Sequence, residues 1–126
     1  IVRPRSIQAR NEKLMTKYVY VYHAPMNPAD APAPSAADME AVMGQWMTWA
    51  SDAGDKLTDF GTPLANGVRV TPGGATAPST REVTGYSIVE ADSMDEAVAM
   101  AKIHPHLAMP GGCEIEVHEA QAVPGM

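Results

Sequence analysis

Residues 17–23 place Tyr18, Tyr20 and Tyr22 on one side of the chain and Val19 and Val21 on the other. That period of two predicts a β-strand. Residues 24–34 follow with Pro25, Pro28, Pro32 and Pro34, each without an amide donor, so this segment sustains neither helix nor central strand and reads as a loop. Ser35, with Asp38 three residues on, is a capping-box-like helix start. Met39, Val42, Met43, Trp46, Trp49, Ala50 and Ala53 then recur at spacings of three and four, which predicts one apolar face packed into the core and Gly54 as the stop.

The second half repeats the scheme. Residues 56–64 read as a short irregular strand broken by Gly61 and Pro63, and residues 68–71 as another. The run TPGGATAPSTR has turn chemistry throughout and reads as a connecting hairpin or mobile loop. Val83–Ala91 is a stronger strand. Ser93 and Glu96 form a capping box, Met94, Ala97, Val98 and Ala101 make the apolar side of a second helix, and Pro105 ends it. Cys113, Ile115 and Val117 alternate with Glu114, Glu116 and His118 in a last strand. The order is the α+β, ferredoxin-like βαββαβ pattern, in which two helices cover one face of an antiparallel sheet. The uncovered face receives either the tyrosines or the valines of the first strand. Burial against a second copy, sheet to sheet, is the simplest cover and predicts a homodimer.

A length of 126 residues predicts one domain with its own core. Charge modifies its limits. Residues 1–14 carry Arg3, Arg5, Arg10 and Lys13 against Glu12, whereas residues 15–126 hold five bases and fourteen acids. Residues 1–14 therefore read as a leader or vector-derived extension, and 15–126 as the domain. The overall charge of -6 lacks the basic stripe that nucleic acid requires, and no apolar run is long enough for a membrane span. A single cysteine, Cys113, excludes an intrachain disulfide and points to the cytoplasm.

Candidate chemistry concentrates in few residues. His104, where the second helix breaks, suits proton transfer near neutral pH, with Asp59 as an orienting carboxylate. A helix C-cap is the alternative role for that imidazole. Tyr20, Tyr22, Trp46 and Trp49 offer stacking walls, and His23 joins Tyr22, Trp46 and Trp49 in the expected binding set. His104 and His106 with His23 or His118 lack a metal-ligand spacing, so neither metal nor other cofactor is expected. The phase of Cys113 makes it a buried thiol rather than a nucleophile.

The segments KYVYVYH, GQWMTWASDAGDKLTDFGTPL, TGYSIVEADSMDEAVAMA and HPHLAMPGGCEIEVHEA together resemble the YCII-related family of small dimeric α/β-barrel proteins, particularly its DGPF-type branch. The resemblance spans nearly all of residues 16–120 apart from 66–82. It implies a ferredoxin-like protomer and a dimer whose two sheets form a barrel. In one branch a first-helix histidine and the aspartate of an Asp-Pro step form a proton-transfer dyad. Here that step is His104-Pro105, and the first helix carries Trp46 and Trp49 in place of a histidine. Two functions follow as expectations: a lyase or isomerase acting on an aromatic or quinone-like compound through His104, or a non-catalytic dimeric module that binds a small molecule or a protein.

Overall fold

The computed structural model describes residues 15–25, 35–109 and 111–124. The basic segment 1–14 and most of the proline-rich loop lie outside the described residues. The chain forms β1 (Thr16–His23), α1 (Ala36–Ala53), β2 (Leu57–Asp59), β3 (Val68–Val70), β4 (Thr76–Pro78), β5 (Val83–Ala91), α2 (Met94–Lys102) and β6 (Glu114–Glu119), with single 3₁₀ turns at Gly54–Lys56 and Pro105–Ala108. It is an α+β protein. No helix among the described residues is long and apolar enough to cross a membrane.

One four-stranded sheet runs in the order β2-β5-β1-β6 with every neighbouring pair antiparallel. Each helix therefore connects two strands that are separated by one strand from the other half of the chain. The period-two pattern of β1 resolves in favour of the tyrosines: Tyr18, Tyr20 and Tyr22 are buried against the helices, while Val19 and Val21 lie half-buried on the opposite face. The core joins these tyrosines to Trp49 of α1, Val89 and Ala91 of β5, and Ala97 and Ala101 of α2. Ile115 and Val117 pack against that cluster from β6, and Glu114, Glu116 and His118 take the other face.

Both helices start as their capping residues predict. The Ser35 hydroxyl accepts from the Asp38 amide at 3.0 Å, and that of Ser93 from the Glu96 amide at 3.1 Å. The Glu96 carboxylate reaches back to the Asp92 amide at 2.9 Å and also meets the Lys56 ammonium at 2.9 Å. These partners, the amide foremost, hold its carboxyl below the usual carboxylate range.

One expectation needs correction. The apolar stripe of α1 does not pack along its whole length. Trp49 is buried and Trp46 and Ala50 are partly so, but Met39 and Met43 remain 60% and 52% exposed. The N-terminal half of α1 frames an opening instead of covering the sheet. Residues 56–64 form the short, irregular and broken segment expected of them. Leu57–Asp59 pair as β2 and Pro63 bridges Gly85 separately; between them Gly61, at φ 80°, passes so close to β5 that a Cβ there would lie 1.8 Å from the Tyr86 carbonyl oxygen. The turn-rich run beyond it forms a hairpin, with Thr76–Pro78 pairing back on Val68–Val70 as a separate two-stranded ribbon.

Candidate functional site

The 3₁₀ turn after α2 brings two histidines to one tyrosine. Pro105 fixes the first position of that turn and holds His104 extended at its N-cap. His104 and His106 then flank Tyr22, with ring centroids 5.0 and 5.1 Å from it. Trp46 meets Tyr22 edge-on at 5.0 Å and His104 at 4.3 Å, and Trp49 closes the far side of His104 at 4.3 Å. Edge-on aromatic pairs of this kind contribute about 0.5–1.5 kcal/mol each beyond their buried area.

The hydrogen bonds within this cluster run in one direction. An amide only donates, so the His106 backbone N–H at 2.9 Å fixes Nδ1 of His104 as an acceptor. The ring proton therefore sits on Nε2, which donates to the Tyr22 hydroxyl at 3.1 Å. Tyr22 donates to Ser87 Oγ at 2.8 Å, and Ser87 donates to the Phe60 carbonyl at 2.6 Å, where the chain ends on a group that can only accept. Every member is used once as a donor. Burial, opposed in part by the Ser87 hydrogen bond, pushes the Tyr22 hydroxyl up to about 12.

His104 is 2% exposed, and burial, followed by the charge of neighbouring His106, brings its pKa down to about 3. An imidazolium would place a proton where the His106 amide already points. The expectation of an acid or base at His104 meets this obstacle: its lone pair and its proton are both committed, and it stays neutral at physiological pH. Its capping role also differs from the expected C-cap. It caps the following turn as a neutral acceptor, whereas Ile103 occupies the C-cap of α2.

Beside this wall lies a cavity of about 420 Å³, a volume typical of small-molecule sites. Met39, Val42, Met43 and Trp46 of α1 line one side, Phe60 and Pro63 after β2 another, and Tyr22, Tyr86, His106 and Met109 the rest. Polar groups are few: Asp38, Thr62, Thr84 and His106 are among them, and no lysine or arginine among the described residues lines it. His106 Nε2 donates to the His23 carbonyl at 2.9 Å, so a neutral ring keeps its lone pair on Nδ1.

Among the residues expected at a site, the structure thus brings Tyr22, Trp46 and His104 together. Trp49 belongs to the core, with its indole N–H on the Met100 carbonyl at 3.0 Å. Asp59 stands apart on exposed β2, where it accepts from the Gly61 amide at 2.9 Å and the Tyr86 hydroxyl at 3.4 Å. His23 contributes its backbone to the site, while its ring binds the Arg81 carbonyl at 2.8 Å and faces Glu116 at 3.4 Å. His106, Phe60 and Ser87 are the site residues to which the sequence gives no binding or acid–base role. The repeat of histidine on both sides of Pro105 was the one signal for the first of them. No cluster of three or more histidine, cysteine or acidic side chains arranged for a metal ion occurs among the described residues. Comparison of the chain with protein-family models and with curated proteins finds no match.

Proposed function

We propose that the chain is a ferredoxin-like, YCII-related protomer that pairs through its open sheet face and binds a small, largely apolar molecule in the cavity beside Trp46. The observation that carries the binding reading is the combination of an apolar cavity with a wall whose hydrogen bonds are closed internally. Such a wall is preorganised, so a ligand orders little on entry, and it holds no proton for exchange. The β2-β5-β1-β6 order supports the ferredoxin-like protomer, and half-buried Val19, Val21, Tyr86 and Ile88 on the open face support a homodimer. A cytoplasmic location is part of the same proposal, resting on one cysteine.

Calorimetric titration and thermal shift with neutral aromatic compounds test this. Val42→Trp fills the opening without touching the hydrogen-bonded chain, and it is expected to abolish binding while leaving the melting temperature of the free protein within a few degrees. Ligands that bind both forms equally would place their site elsewhere.

A second reading, lyase or isomerase chemistry on an aromatic or quinone-like compound, is favoured by one observation: His106, with its available lone pair, lines the same cavity. In that case His104 positions Tyr22 and the turn, and His106 takes the proton. Turnover lost in His106→Gln, with ligand binding retained, is the expected signature.

A further inference from the structure

The polar groups at the cavity carry more information than its size. Asp38, Val42 and Trp46 are spaced by four residues on α1 and therefore share one face, and all three line the cavity. Eight residues of helix separate Asp38 from Trp46 by ~12 Å along the axis. The site is thus long, aromatic at one end and anionic at the other. Near Trp46 stand Phe60, at 6.1 Å between ring centroids, and Tyr22.

We infer that the cavity selects an elongated amphiphilic cation, a small molecule with an aromatic end and an ammonium group, with the ammonium at Asp38 and the ring against Trp46 and Phe60. This rests on the binding reading above and assigns the ligand class to that site. Two observations support it. Among the described residues no lysine or arginine lines the cavity, so an anion would be desolvated there without a counter-charge. The net charge of -6 favours the approach of cations. The N-terminus of α1 opposes them, but its positive pole amounts to about half a charge. Ser35 already takes the Asp38 and Met39 amides with its side chain and carbonyl, and the full charge of the Asp38 carboxylate outweighs the remainder.

The test uses three molecules on one skeleton: 4-phenylbutylamine, 4-phenylbutanol and 4-phenylbutyrate, titrated calorimetrically into the full chain at low salt and neutral pH. The amine is expected to bind roughly three- to tenfold more tightly than the alcohol, as befits an ion pair at a solvent-exposed mouth, and the acid most weakly. Asp38→Asn should reduce the amine to the level of the alcohol, and Asp38→Glu should restore the preference. Glu40→Gln removes the same charge from a position some 200° around the helix from Asp38, and it should leave the preference intact. An alcohol that binds as well as the amine, or a preference that survives Asp38→Asn, overturns the assignment while the binding site stands. Failure of all three to bind overturns both.

Discussion

The two faces of the sheet are built from alternate residues of the same strands, yet they are finished differently. On the helix side Tyr20, Tyr22, Ser87 and Val89 are fully buried, and the hydroxyls are satisfied: Tyr20 on the Ala97 carbonyl, Tyr22 and Ser87 in the chain from His104. On the open side Val19 pairs with Ile88 and Val21 with Tyr86, all four half-buried, beside Lys17, Glu90, Glu116 and His118. A face whose polar groups are spent internally is complete within one chain. A face with an apolar centre and a charged border has the pattern of a surface that associates. The first face carries the stability, assembly through the second is the proposal made above, and the comparison can be broken on either side.

The largest effect is expected from Trp49→Ala. The indole fills the space between His104 and Tyr20 and donates to Met100, so its removal leaves a cavity and an unpaired carbonyl. A loss of about 3–5 kcal/mol is expected in denaturant unfolding. A loss below 1 kcal/mol would mean that the helix-covered face is not the centre of stability.

Much of this face is legible in the sequence. The tyrosine alternation, the two serine caps and the spacing of Trp46 and Trp49 define β1, α1 and α2, because periodicity reports which residues share a side. It does not report what lies opposite. Met39 and Met43 keep the helical period of a core stripe, yet they border an opening, since no element among the described residues packs over that half of α1. For the same reason the sequence offers His104 as an acid or base. Whether an imidazole titrates depends on what meets Nδ1, and the amide that does so belongs to a turn set by Pro105. Asp59 shows the limit most directly. Its carboxylate suggested an orienting partner for His104, but the tight passage at Gly61 turns it toward its own loop and Tyr86.

A smaller effect follows from the neutral state of His104. Its pKa falls from an ordinary 6.5 to about 3 on folding, so between those values the unfolded chain binds more protons. Stability therefore rises with pH through this window and is flat above it, with about 2 kcal/mol less at pH 5 than at pH 7.5 from this group. Glu96 and Glu116, whose carboxyls are held low, act in the same direction only below the usual carboxylate range. Urea unfolding between pH 5 and 7.5, compared with the variant His104→Gln, separates this histidine from the carboxylates. His104→Gln should flatten the slope there, whereas a slope unchanged in the variant would assign it to another group.

The smallest effect on folding, and the most telling for the other face, is expected from Val19→Glu. Val19 is half-buried and stands across from Ile88 and His118, so the new carboxylate has water and an imidazole beside it. The free protomer should lose less than about 1 kcal/mol, because little buried area and no closed hydrogen bond is removed. In a sheet-to-sheet pair the same carboxylate would enter the apolar centre of the contact and leave water without a partner there, a far larger penalty. Light-scattering mass is therefore expected to fall from dimer to monomer while the unfolding midpoint of the separated chain barely moves. A native chain already of monomer mass, or a variant that remains dimeric, would show that the open face is covered by something other than its own copy.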